Sequence, residues 1–111
     1  MDWSKYKQMR LLVMFDIPVE PIEAHKAYTK FRNFLLKDGF IMLQFSIYIR
    51  FCHNEPDSLK HVNRVIKNCP NYGNIRLLKI TEKQYQNMLL LNGSKNCNEE
   101  IKFNKNLIVI E

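Results

Sequence analysis

The sequence predicts an α+β fold, and three observations carry that reading. Arg10 to Ile17, Phe40 to Phe51, Ile75 to Ile80 and Leu107 to Ile110 are apolar runs of strand character. Between them the apolar residues fall at helical spacing. The 111 residues suit one domain, and the order strand, helix, paired or bent strand, helix, strand has βαββαβ at its core. That is the ferredoxin-like arrangement: one antiparallel sheet with two helices on one face, here extended by a short helix and a C-terminal strand. Residues 1–8 read as an N-terminal extension, 9–81 as the core, and 82–111 as the short helix, a mobile segment and the last strand.

Each element has its own physical warrant. In Arg10 to Ile17, Leu11, Val13 and Phe15 point to one side, and Leu12, Met14 and finally Asp16 to the other. Both sides are apolar, so both should be covered. From Pro21 to Lys37, Ala24, Ala27, Tyr28, Phe31, Phe34 and Leu35 make a helical stripe, with Gly39 as its stop. Phe40 to Phe51 alternates, Ile41, Leu43, Phe45, Ile47, Ile49 and Phe51 against Gln44, Ser46, Tyr48 and Arg50. Twelve residues would span roughly 40 Å, so a bend, bulge or reversal is expected near Phe45–Ser46. Asp57 to Cys69 is a second helix with Leu59, Val62, Val65, Ile66 and Cys69 as its stripe, ended by Pro70. Asn71-Tyr72-Gly73 is a turn. Thr81-Glu82-Lys83-Gln84 has the form of a capping box, and the helix it opens should run to about Leu90. Ser94 to Asn106 is polar and read as mobile, and Leu107 to Ile110 as a strand buried on both faces.

Composition narrows the function. Hydrophobic residues at 46% and charged residues at 25% are those of an ordinary soluble protein. The run Leu11 to Phe15 is far short of a spanning helix, and Met1 to Gln8 lack a signal peptide's cationic start and apolar core. Cys52, Cys69 and Cys97 are odd in number and widely spaced, which points to reduced thiols in the cytoplasm rather than a disulfide framework or a zinc site. Seventeen Lys and Arg against eleven Asp and Glu leave +6, a surplus that suits a polyanionic partner. Two helices can cover only one sheet face, so Leu12, Met14, Met42, Leu78 and Ile80 should lie near a bare side. A second copy of the chain, with Leu107 to Ile110 added at an edge, would cover it.

Asp16 is the leading candidate for chemistry. A carboxylate ending an apolar strand is either a turn residue bonded to nearby N–H groups or a metal ligand near a dimer axis. Two such carboxylates would repel and relax on binding a cation. Mg²⁺ accepts one or two carboxylates and keeps several waters, one of which could attack a phosphodiester. Lys26, Lys30 and Lys37 fall within about 40° of one another around the first helix, either a solvated face or a basic stripe that follows phosphates. Ser46 and Arg50, with Gln44, either contact phosphate or decorate a polar sheet face. Phe40, Tyr48 and Tyr85 suit base stacking or the core. His25, His53 and His61 have no partner at metal-binding spacing and read as exposed or structural.

Three blocks then carry a resemblance: Met9 to Pro18 (MRLLVMFDIP), Gly39 to Tyr48 (GFIMLQFSIY) and Ile80 to Tyr85 (ITEKQY). In this order and spacing they closely resemble the CRISPR-associated protein 2 family, the small core subunit of CRISPR adaptation, in its type II-like form. The resemblance implies a ferredoxin-like homodimer whose last strand supports the partner's sheet. It implies an endonuclease dependent on Mg²⁺ (or Mn²⁺) acting on RNA, including single-stranded RNA, or on double-stranded DNA, with Asp16 as ligand and catalytic residue. It also implies a complex with the CRISPR integrase (core protein 1), the small dimer bridging two integrase dimers and holding a prespacer duplex along a basic surface. Two other functions compete: a stand-alone, toxin-like metal-dependent RNA interferase on the same fold, and a small-molecule-binding regulatory domain. The basic stripe and the lack of a Gly-rich ligand loop weigh against the second.

Overall fold

A computed structural model describes residues 7–93. Residues 1–6 lie outside the described part, as do the expected mobile segment Ser94 to Asn106, the strand Leu107 to Ile110 and Cys97. The elements are β1 (Met9–Asp16), α1 (Ile22–Lys37), β2 (Ile41–Gln44), β3 (Ile47–Cys52), α2 (Glu55–Asn68), β4 (Asn74–Thr81) and α3 (Glu82–Gln86). The strands form one antiparallel sheet in the order β2-β3-β1-β4, the ferredoxin-like topology. No helix among the described residues is long and apolar enough to cross a membrane.

β1 is central, paired with β3 on one side and β4 on the other. Its odd positions Met9, Leu11, Val13 and Phe15 enter the main core with Phe31 and Leu35 of α1, Phe40, Tyr48, Cys52 and Val65 of α2. Phe15 contacts three rings, Phe31 edge-on at 5.3 Å, Tyr48 at 5.6 Å and Tyr28 at 5.7 Å between centroids. Aromatic pairs of this kind each contribute about 0.5–1.5 kcal/mol beyond their buried area. Phe40, Tyr48 and Tyr85 are all buried, so none of the three is a base-stacking surface.

The long alternating run reverses as expected. β2 and β3 form a hairpin through Phe45 and Ser46, with Ser46 in the left-handed region at φ 63° and a register shift at Leu43. The pairing corrects one placement: Met42 lies opposite Tyr48, itself opposite Val13 on the helix side, while Ile41 and Leu43 pack on the other face. The "polar" parity of the run also proves structural. Tyr48 is buried, and Arg50 donates from Nε to the Asp38 carbonyl at 2.8 Å and from Nη1 to its neighbour Phe51 at 2.6 Å.

α2 starts two residues before its expected position, because Asn54 caps it by accepting from the Asp57 N–H at 2.8 Å. Its buried face is Ser58, His61 and Val65, with Val62 beside them, whereas Leu59 and Ile66 are exposed. Hydrophobic spacing misplaced this face because a polar cluster supplies the burial. His61 Nδ1 lies 2.7 Å from Asp38 Oδ2, and Arg64 Nη1 donates to Asp38 Oδ1 at 3.0 Å. An ionised carboxylate only accepts, so Nδ1 carries the proton. Asp38 thereby ties the C-terminus of α1 to α2 and, through its carbonyl, to β3.

The other sheet face is half covered. The Thr81–Gln84 capping box forms as expected, but α3 stops at Gln86 rather than near Leu90. Tyr85 packs on Leu12 and Ile49 with Met88 at their edge. Arg10 lies beneath the Tyr85 ring, 4.3 Å from its centroid, and donates to Glu82 from Nε at 2.5 Å. Leu12 is therefore buried, while Leu78 remains about half exposed and Met14 half-buried. The bare side of the sequence reading has shrunk to the end of the sheet around Met14, Arg76 and Leu78.

Burial pushes the Cys52 thiol up from its ordinary value, which makes it an unreactive core residue. Burial also acts upward on Asp57, but the His53 N–H, the Lys60 ammonium and the charges of His61 and Arg50 outweigh it, holding the carboxyl below its usual value. A carboxyl depressed in the folded state stabilises it above the unfolded pKa, and that stability is lost as pH falls through the folded value. Denaturation midpoints should therefore fall on the acid side of the ordinary carboxylate range, and Asp57→Asn should flatten that fall. An unchanged acid slope in the variant would contradict this account.

Candidate functional site

The last residue of β1 is where burial stops. Phe15 is buried and locked by its three rings, and Asp16 is exposed. Turns hold the strand end from both sides. On the β3 side the Phe15 N–H donates to the Ser46 carbonyl at 3.1 Å. On the β4 side Asp16 pairs with Asn74, and Gly73 packs on the Asp16 backbone. A Cβ on Gly73 would stand 2.0 Å from the Asp16 carbonyl oxygen, and its φ of 70° is itself a glycine conformation. The sequence turn Asn71-Tyr72-Gly73 is thus also the clamp on the candidate carboxylate.

Among the described residues none hydrogen-bonds or ion-pairs with the Asp16 side chain. This removes the turn-cap reading, in which nearby N–H groups would hold it. Two grooves meet at this carboxylate. One, on the open sheet face, is lined by Met14, Asp16, Ser46, Asn74 and Arg76. The other opens toward α1, about 500 Å³ in volume, and is lined by Asp16, Val19, His25, Tyr28, Phe45 and Ser46. Asp16 and Ser46 form the ridge between them.

The remaining sequence candidates are dispersed. Lys26, Lys30 and Lys37 are exposed along α1 without carboxylate partners among the described residues. Arg50 belongs to the opposite end of the sheet, opposite Leu11, and is engaged with carbonyl groups there. His25 and His53 are exposed and His61 structural, as expected, and His25 also lines the second groove. Sequence reading missed Arg76 and Asn74. The register supplies them: Arg76 lies opposite Met14 and Asn74 opposite Asp16, so both share the face of the carboxylate. Even-numbered parity with Leu78 and Ile80 was the available signal.

A four-stranded antiparallel sheet in the order β2-β3-β1-β4, with α1 and α2 on one face and an exposed carboxylate at the end of β1, places the chain in the class of small ferredoxin-like α+β proteins. The family model described as CRISPR associated protein Cas2 matches residues 9–88, and the chain belongs to that family. It is 47% identical over 87 residues to the CRISPR-associated endoribonuclease Cas2 of Streptococcus mutans serotype c, covering 78% of this chain and 80% of that one. It is 43% identical over 105 residues to the protein of the same name from Campylobacter jejuni, covering 95% and 73%. The Flavobacterium psychrophilum protein of that name is 41% identical over 92 residues, covering 83% and 80%.

Gly73→Ala tests how the carboxylate is held. The variant should lose about 2 kcal/mol or more of stability, since the left-handed backbone and the Asp16 carbonyl both oppose a Cβ. Denaturant unfolding measures it, and a wild-type midpoint would show that the turn does not clamp β1.

Proposed function

We propose that this chain is a cation-dependent endonuclease of CRISPR adaptation, with Asp16 as the ligand for Mg²⁺ or Mn²⁺ and as the catalytic residue. The observation that carries the reading is the exposed carboxylate, without a partner among the described residues, on a ridge between two grooves and fixed by turns on both sides. The donor set suits a hard cation: a carboxylate, with the Ser46 hydroxyl and the Asn74 amide oxygen on the same rim. Among the described residues no three His, Cys, Asp or Glu side chains cluster as a metal cage. One carboxylate per chain, with the rest of the shell from water, phosphate or a second copy, is the arrangement we infer.

A bound divalent cation would neutralise charge on the scissile phosphate. The chain's own groups do the positioning. Arg76 offers a forked set of donors to phosphate oxygens, and the Ser46 hydroxyl can donate to another. The ring cage around Phe15 keeps the strand end rigid, so the carboxylate needs little reorganisation as charge develops. The relatives' names, as endoribonucleases, support RNA as a substrate. They equally favour a second reading, a stand-alone RNA interferase.

The half-open sheet face around Met14 and Leu78 supports a homodimer, and two copies double the surplus of +6. Such a dimer would hold prespacer duplex with Lys26, Lys30 and Lys37, and act beside the CRISPR integrase in the cytoplasm. One set of assays tests the reading. With Mg²⁺ present, Asp16→Asn should lower RNA cleavage by about 100-fold or more while leaving duplex affinity and a dimeric light-scattering mass unchanged. Replacing the three lysines should flatten the log–log salt dependence of duplex binding by roughly one unit per lost contact. Co-purification with the integrase, followed by spacer integration, separates the adaptation subunit from the free interferase. Undiminished cleavage by Asp16→Asn would sink the catalytic assignment.

A further inference from the structure

The second groove is unlike the first. Phe45 is 81% exposed and Val19 71%, an unusual display of apolar surface beside a carboxylate. Phe45 is not on a loose loop. It occupies the two-residue hairpin turn whose next residue, Ser46, accepts from the Phe15 N–H. The exposed ring and Asp16 are therefore tied to adjacent points of one rigid ladder. Tyr28 is braced by Phe15 at 5.7 Å, and His25 stacks on Tyr28 with ring planes 12° apart and centroids 6.4 Å apart. These rings line the same groove, whose volume of about 500 Å³ falls in the range of small-ligand sites, about 300–1,000 Å³.

Charge lies on the other side of the ridge. Arg76 lines the first groove and has no carboxylate partner among the described residues. A basic group, a carboxylate and an aromatic groove in sequence match the parts of a nucleotide: phosphate at Arg76, reacting bond at Asp16, base among the rings. Stacking is tolerant of base identity but needs an open face, which a paired base in a duplex does not offer.

We propose that Phe45 is a specificity-determining residue that stacks an unpaired nucleobase of single-stranded RNA in the groove beside Asp16, while Arg76 holds the adjoining phosphate. The proposal rests on the reading of Asp16 as the centre of a nucleic-acid site, and it adds the features that would separate single strands from duplex. Phe45 is a positioning residue: it brings the phosphodiester to the carboxylate and takes no part in bond breaking.

The test is a binding measurement made with a chelator present, so that no cleavage occurs. RNA oligonucleotides carrying 2-aminopurine are titrated with wild type, Phe45→Ala and Phe45→Tyr, beside duplexes of the same sequence. Wild type should quench the fluorophore in the single strand. Phe45→Ala should lower single-strand affinity by about 5- to 100-fold, the range for loss of one base–aromatic stack, with duplex affinity unchanged. Phe45→Tyr should restore both affinity and quenching. Equal affinity of Phe45→Ala and wild type for the single strand, or an equal loss on duplex, would overturn the proposal. Cleavage by Asp16→Asn is scored separately, so a failure of the catalytic assignment is distinguishable from a failure of the stacking site.

Discussion

Everything in this structure depends on the double burial of β1. The strand is hydrogen-bonded on both edges and packed on both faces up to the half-buried Met14, so its position and register are fixed. A one-residue slip would exchange its faces and bring Asp16 into the aromatic core, at the cost of desolvating a carboxylate. The two turns that clamp the strand end do so by different means. Ser46 accepts a ladder bond from Phe15, and Gly73 leaves room for the Asp16 carbonyl. The exposed carboxylate is thus the end of a rigid rod rather than part of a flexible loop.

The sheet's two faces divide structure from contact. On the helix side the Phe15 ring cluster and the Asp38–His61–Arg64 network lock α1 and α2 in place. Buried ion pairs are weak contributors to net stability; what the His61–Asp38 pair does here is hold α2 against the C-terminus of α1, because breaking it would leave a buried carboxylate uncompensated. On the other side α3 closes half the face through Tyr85, with Arg10 between Tyr85 and Phe51. The part that α3 leaves open includes Arg76 and adjoins Asp16, which is where we place phosphate.

Much of this was legible in the residues. The apolar run ending in Asp16, the stripe of α1, the Gly39 stop and the capping box at Thr81 each rest on local chemistry, and each formed as expected. What stayed hidden depends on tertiary partners. No Gly or Asn marks the hairpin turn, because Ser46 itself takes the left-handed conformation. The inward face of α2 could not be read from apolar spacing, since Ser58 and the ion-paired His61 fill it. The choice between phosphate contact and sheet decoration for Arg50 turned on its carbonyl partners, and parity puts Arg76 on the face of Leu78 and Ile80, but only the β1–β4 register sets it beside the carboxylate.

The function we propose turns on a divalent cation held at Asp16, on the ridge between the grooves. Titration with Mn²⁺, followed by paramagnetic broadening of backbone amide signals, tests it most directly. Broadening should begin at Phe15 to Ile17, Ser46 and Asn74, and should vanish in Asp16→Asn. Broadening centred instead on Asp38 and Asp57, or none specific to any site, would contradict the account.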